Sequence, residues 1–183
     1  MTAAVLLCAG GSTRFDSGQP KLLALFRGRP LVSWALEHVG AAGLDEVIVV
    51  VGPADLSEVL TTQVVVDNPE WATGIASSLR AGIAEAARRG HEAVVAGLGD
   101  QPLIASSAWS AVAATDSPIA VSSFAGRRTP PVRLTRAVWL LLPSTGDIGA
   151  RALMRERPDL VREVECEGEP LDIDTTEELA RWT

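Results

Sequence analysis

Three stretches of this chain combine residues able to hold phosphate and hard cations, and each follows a short apolar run. The first is Ala9-Gly10-Gly11-Ser12-Thr13-Arg14, directly after AAVLLC. Consecutive small residues there leave backbone N–H groups free to face an anion, which makes a nest for phosphate. Arg14 and Lys21 add a forked cation and a point cation near where a triphosphate would lie. A tight glycine turn flanked by solvated charges is the plain alternative. Two other nucleotide motifs fail on the letters. A dinucleotide fingerprint needs GxGxxG, and a P-loop needs GK followed by Ser or Thr, whereas Lys21 stands between Pro20 and Leu22.

The second stretch, NPEWATGIASSL, runs from Asn68 to Leu79 behind Val64, Val65, Val66 and Asp67. Ser77 and Ser78 suit the first turn of a helix, where leading N–H groups lack partners. A helix entrance explains most of it, but a Trp between Pro69 and Gly74 is unusual for a turn. The third stretch is GDQPL, with Asp100 one residue past Gly99. Magnesium takes hard oxygen ligands, commonly one or two carboxylates plus substrate phosphate and water, and Asp100 suits that role. A turn-forming Asp ahead of Pro102 is its structural alternative. Far down the chain LDIDTTEEL adds Asp172 and Asp174, whose period of two predicts a short strand with both carboxylates on the face opposite Ile173. Thr175 with Glu178 reads as a capping box that uses neither aspartate. Arg127 and Arg128 suit a phosphate or a solvated hairpin tip. In STGDIGARAL, Asp147 reads as the N-cap of a helix from Ile148 onward. His38 and His91 show no sequence neighbour that would make either a base or a ligand.

Elements of matching period must position these loops. Ala3 to Cys8, Val47 to Val51, Val64 to Val66, Ala93 to Leu98 and Ile119 to Val121 read as strands buried on both faces. Leu31 to Val39, Ser77 to Ala87, Ser107 to Ala114, Ala150 to Arg155 and Thr176 to Trp182 carry apolar residues at helical spacing. That alternation predicts a single three-layer α/β domain over residues 1–183, Rossmann-like in its first half, with a mostly parallel sheet and ligands beyond the carboxyl ends of the strands. The chain has 183 residues and a formal net charge of −7, which argues against nucleic-acid binding. Cys8 and Cys166 lack the spacing of a disulfide framework or zinc knuckle, and no apolar run is long enough to span a bilayer. A soluble cytoplasmic protein is expected.

LCAGGSTRF followed by KLL, NPEWATGIASSL, GDQP, GDIGAR and DIDTTE together resemble the molybdenum-cofactor nucleotidyltransferases over nearly the whole chain. The match is closest to the molybdopterin cytidylyltransferase branch, because the guanylyltransferase branch usually has Gly where Ala9 stands. Departures are the longer DSGQP segment before Lys21, Ile75 in place of Met, Ala76 where Gly is common, and Pro130 in place of His. The resemblance implies a three-layer α/β/α fold of the nucleotide-diphospho-sugar-transferase type. It implies that Ala9, Gly10, Gly11 and Ser12 wrap the phosphates while Arg14 and Lys21 neutralise them. By the same resemblance Asp67, Asn68 and Ser77 contact the nucleoside, and Gly74 lets the backbone approach the ring. Asp100 and Asp174 would share Mg²⁺, and Asp147 and Arg151 would lie near the acceptor. The implied reaction is transfer of CMP from CTP to the terminal phosphate of molybdopterin or its molybdenum-bearing form. GTP as donor, a sugar, cyclitol or methylerythritol phosphate as acceptor, and a non-catalytic nucleotide sensor or a protein delivering the cofactor to a molybdenum hydroxylase as partner, are the alternatives. The paired aspartates argue against the last.

Overall fold

The computed structural model describes residues 1–11, 15 and 19–182; the expectations for Ser12 and Arg14 lie outside the described residues. In chain order the elements are β1 (Thr2–Cys8), the two-residue strands β2 (Leu25–Phe26) and β3 (Arg29–Pro30), α1 (Leu31–Gly40), β4 (Glu46–Val51), β5 (Val64–Asp67), α2 (Ile75–Arg88), β6 (Ala93–Leu98), α3 (Ser106–Ala113), β7 (Ile119–Phe124), β8 (Arg127–Thr135), α4 (Ala150–Glu156), β9 (Val161–Glu165) and α5 (Thr176–Trp182). Seven strands form the main sheet in the order β5-β4-β1-β6-β8-β7-β9. The pairs β5–β4, β4–β1, β1–β6 and β7–β9 are parallel, and β8 runs antiparallel to both of its neighbours.

Strand β1 shows why the layers form. Its side chains alternate between faces, and nearly all are apolar, so both faces must be covered. Ala3 and Val5 join Leu79, Ile83 and Ala86 of α2 and Leu153 and Met154 of α4. Ala4, Leu6 and Cys8 join Val32, Leu36 and Val39 of α1 and Trp109 and Val112 of α3. Each fully buried aliphatic side chain contributes about 1.5–3 kcal/mol. Helix α2 sits close to the sheet because Gly82 faces it; a Cβ there would come within 2.4 Å of Val5.

Beside the two-residue β2 and β3, two strands of the main sheet were not predicted from the sequence, and both break the pattern of a buried parallel strand. In β8 (RRTPPVRLT), Pro130 and Pro131 interrupt the run and sit where the pairing with β7 slips between Val121↔Val132 and Ser122↔Thr129. Proline offers no N–H, and a bulge is where a sheet tolerates that loss. Edge strand β9 (VREVE) carries charge at three of its five positions, Arg162, Glu163 and Glu165. The β7–β8 connection is two residues, Ala125 (φ 50°) and Gly126 (φ 80°), the left-handed pair that a tight hairpin turn requires. At the amino ends of the strands, buried His91 meets Glu46 at 3.0 Å, a partner sequence reading missed. Arg89 and His91 hold the Glu46 carboxyl down at about 2. Among the described residues no helix is long and apolar enough to cross a membrane.

Candidate active site

The carboxyl ends of β1, β5 and β6 open onto one edge of the sheet, and all three motifs of the sequence converge there. Strand β1 ends at buried Cys8, whose thiol is pushed upward by burial and by the charge of Asp100. Ala9 is buried, and Gly10 and Gly11 reach the surface. A Cβ on Gly11 would lie 2.4 Å from the ring of Trp71, so this glycine lets the indole of the NPEW segment rest directly on the first loop.

Asp67 ends β5, exposed and paired in register with Val51. The next residue, Asn68, is buried and acts as a hub. Its amide donates to the hydroxyls of Ser77 and Ser78, both at 3.0 Å, and its carbonyl accepts from the Glu70 N–H at 3.0 Å. The two serines therefore receive the Asn68 amide, where sequence reading had them serve free helix N–H groups. The Ser77 hydroxyl also lies 2.9 Å from the Gly74 carbonyl. Gly74 (φ 112°, ψ 173°) precedes α2 in a conformation open essentially to glycine alone. Its close neighbour is the loop before α4. Gly146 donates to the Thr73 carbonyl and accepts from the Ala76 N–H, at 2.9 and 3.1 Å. A Cβ on Gly74 would meet Gly146 C and O at 2.5 Å.

Behind β6 the chain delivers its charged cluster. Lys21 opens a short 3₁₀ turn, Lys21–Leu23, after Pro20. It is only 8% exposed, and its ammonium donates to Asp100 Oδ2 at 2.6 Å and to Asp174 Oδ1 at 3.0 Å. Burial alone would lower the Lys21 pKa, but the charges and hydrogen bonds of Asp100 and Asp174 together outweigh it and the net shift is upward. The tail reaches this point without forming a strand, contrary to the expectation from its period of two. It is pinned instead by the Ile173 N–H on the Asp100 carbonyl at 3.2 Å, and by Ile173 itself, fully buried against Phe26 and Leu31. The capping box forms: Thr175 Oγ1 accepts from the Glu178 N–H at 3.1 Å, and Glu178 accepts from the N–H groups of Thr175 and Asp174 at 3.0 and 2.8 Å.

Asp172 joins the cluster through a residue the sequence reading overlooked. Buried Gln101 donates to Asp172 Oδ1 at 2.7 Å and to Thr129 Oγ1 at 3.2 Å, tying the tail to β8. Burial, then the charge of Asp100, pushes the Asp172 carboxyl above the ordinary carboxylate range. The only earlier sign of Gln101 was its place inside GDQP. Arg127 reaches Asp172 at 3.5 Å, and Arg128 pairs with Glu163.

Thr129 also lines a cleft of about 580 Å³ beside this cluster, whose walls carry Arg127, Arg128, Asp147, Arg151 and Arg155 above an apolar floor that includes Leu79 and Met154. Asp147 and Arg151 are thus brought together. Asp147 is not the N-cap of α4, however; Gly149 holds that position and no side chain caps the helix.

A mostly parallel sheet that brings a glycine-rich loop, a lysine and paired carboxylates to its carboxyl edge, beside a basic cleft, fits a nucleotidyl-transferring enzyme. The chain belongs to the MobA-like NTP transferase domain family, whose model matches residues 4–161, and it is a nucleotidyltransferase. It is 33% identical, over 97% of its length and 94% of the relative's, to nicotine blue oxidoreductase of Paenarthrobacter nicotinovorans. Its fold is similar to that of Rv0371c from Mycobacterium tuberculosis H37Rv (30% identity, TM-score 0.83, 98% of this chain and 96% of that one), a protein also solved in complex with manganese. It shares its fold with the inositol-1-phosphate CTP transferase from T. maritima (19% identity, TM-score 0.74, 96% and 90% covered).

Proposed function

We propose that the enzyme transfers CMP from CTP to the terminal phosphate of molybdopterin or its molybdenum-bearing form in the cytoplasm, with Mg²⁺ as the metal and pyrophosphate as the leaving group. The observation that carries this reading is the convergence of Lys21 on Asp100 and Asp174 beside a cleft walled by Arg127, Arg128 and Arg151. Once the Lys21 ammonium turns to the phosphates, the two carboxylates it holds together are a suitable donor set for a hard divalent cation that takes its other ligands from phosphate and water. Asp100 and Asp174 would hold it. When bound, it neutralises the triphosphate and stabilises the departing pyrophosphate.

The chain's own groups do the rest. Ala9, Gly10 and Gly11 present backbone to the phosphates, the sequence resemblance assigns Ser12 and Arg14 to the same phosphates, and Lys21 supplies a point charge. Asp67, and the Asn68–Ser77 hub behind it, support the nucleoside side. Arg127, Arg128 and Arg151 bind the anionic acceptor and, with Asp147, aim its phosphate oxygen in line at the α-phosphorus. Attack there expels pyrophosphate, and no covalent protein nucleophile is needed. Ala9, in place of a second small glycine, favours the cytidine donor.

The test is pyrophosphate release from each of the four nucleoside triphosphates with Mg²⁺ and molybdopterin, with inositol phosphate and methylerythritol phosphate as competing acceptors. CTP with molybdopterin is expected to be fastest; preference for GTP or for another acceptor refutes the assignment. Nucleotide binding without pyrophosphate release would point to a delivery protein serving a molybdenum hydroxylase. The full-length likeness to a protein named an oxidoreductase supports a second reading, a redox enzyme on the same fold. It requires a bound reductant, and the first loop lacks the GxGxxG pattern for a dinucleotide. NADPH consumption with a dye acceptor, and no pyrophosphate release, would favour it.

A further inference from the structure

Lys21 is the only lysine in a chain with 16 basic Lys and Arg side chains. The other 15 of those side chains are guanidiniums, so a compact side-chain ammonium at this one place calls for a reason. A buried lysine is tolerated only when its charge is matched, and here Asp100 Oδ2 and Asp174 Oδ1 match it at 2.6 and 3.0 Å. Those are the carboxylates assigned above to the metal, and oxygens committed to an ammonium are poor ligands for a second cation. A free divalent ion entering between them would leave an ammonium whose side chain is 11% exposed without its partners. A triphosphate changes that balance, because its oxygens offer the ammonium replacement anions. The backbone under Lys21 need not move: the Lys21–Leu23 turn is fixed by buried Leu22 and by the Ala24 N–H on the Lys21 carbonyl at 3.1 Å. A flexible stem on a fixed turn can swing its charge from carboxylate to phosphate. A planar guanidinium, with its five donors in a rigid fork, is less suited to such an exchange.

We propose that Lys21 is the resident counter-ion of the Asp100–Asp174 pair in the nucleotide-free enzyme, closing the pair to free divalent cations and yielding it only when the metal arrives together with a triphosphate. This rests on the reading of Asp100 and Asp174 as the metal pair. It makes the metal–nucleotide complex, rather than the free metal, the species the site admits.

A single lysine gives a single side-chain signal in protein labelled with ¹⁵N-lysine. Millimolar Mg²⁺ alone is expected to leave the Lys21 ¹⁵Nζ resonance unmoved, whereas Mg²⁺ with a CTP analogue bridged by methylene between the α and β phosphorus is expected to shift it. In parallel, Lys21→Met without nucleotide is expected to bind Mn²⁺, read from the free-ion electron paramagnetic resonance signal, about tenfold or more tighter than wild type, since a unit positive charge next to the metal is removed. A Lys21 resonance that moves with Mg²⁺ alone overturns the proposal, as does Mn²⁺ affinity unchanged in a folded Lys21→Met protein. If Lys21→Met does not fold, the resonance experiment on wild type decides alone. No Mn²⁺ binding and no movement of the resonance even with the analogue would remove the metal pair itself, and the proposed function with it.

Discussion

Replacing Gly74 by Ala tests whether the nucleotide-side loop and the loop before α4 form one unit. Two penalties add. The φ of 112° with ψ of 173° is a region essentially closed to side chains, and forcing alanine into it costs about 1–3 kcal/mol. The new methyl would also lie 2.5 Å from Gly146 C and O and 2.8 Å from Asp147 Oδ1. Because most of that obstruction is backbone, it cannot swing aside as a side-chain tip would, and overpacking of this kind costs about 1–3 kcal/mol. A combined loss of about 3 kcal/mol in a chain of 183 residues lowers the Tm by about 6–12 °C. The assay is differential scanning calorimetry of the variant without nucleotide or metal, followed by KM for donor and acceptor. If the loop yields instead, the hydrogen bonds that Gly146 donates to Thr73 and accepts from Ala76 break, and on the proposed reading the acceptor KM rises because Asp147 and Arg151 move with it. A Tm within about 1 °C of wild type together with an unchanged acceptor KM would refute the reasoning, and would return Gly74 to a role in approaching the nucleotide ring.

Asp100→Asn is expected to lower nucleotidyl transfer by about 100-fold or more, and Asp174→Asn to a lesser degree that excess Mg²⁺ partly restores, measured as pyrophosphate release across a metal titration. Asp172→Asn should raise the neutral-pH Tm of the nucleotide-free protein. The folded-state pKa of Asp172 is raised, so its charge opposes folding at neutral pH, and the difference from wild type should close as the pH falls and Asp172 takes up its proton. Glu46→Gln works in the opposite sense. The Glu46 carboxyl titrates at about 2 in place of 4.5, so its stabilisation is present above pH 4.5 and lost as pH falls toward 2; thermal melts of wild type and variant should converge over that window.

The helices and inner parallel strands were legible because burial on both faces of a sheet leaves β-branched runs, and one-sided burial leaves helical spacing. What escaped was structure whose logic lies in partners rather than period. Strand β8 is ragged because prolines mark its slip against β7, and β9 is polar because it lies at an edge. The tail aspartates did alternate around Ile173, but hydrogen bonds to Asp100 and Gln101 hold them so, with no ladder. Asp100, Asp174 and Lys21 each stood out by residue type. That the lysine lies between the two carboxylates depends on a fold bringing positions 21, 100 and 174 to one place, and no local spacing records it. Gln101 was hidden for the same reason: its partners, Thr129 and Asp172, are distant in sequence.

The contact between Lys21 and Asp174 spans 153 residues. A ribosome adding about 5–20 residues per second therefore makes position 174 roughly 8–30 seconds after position 21. During that interval β1, β4, β5 and β6 can already pair into a sheet, so the glycine loop proposed for phosphate stands at its edge before the second carboxylate has been made. The tail then closes the site by docking Ile173 against Phe26 and Leu31. On the proposed reading of Asp174 as a metal ligand, the site therefore stays incomplete until residues 172–174 have been made and docked.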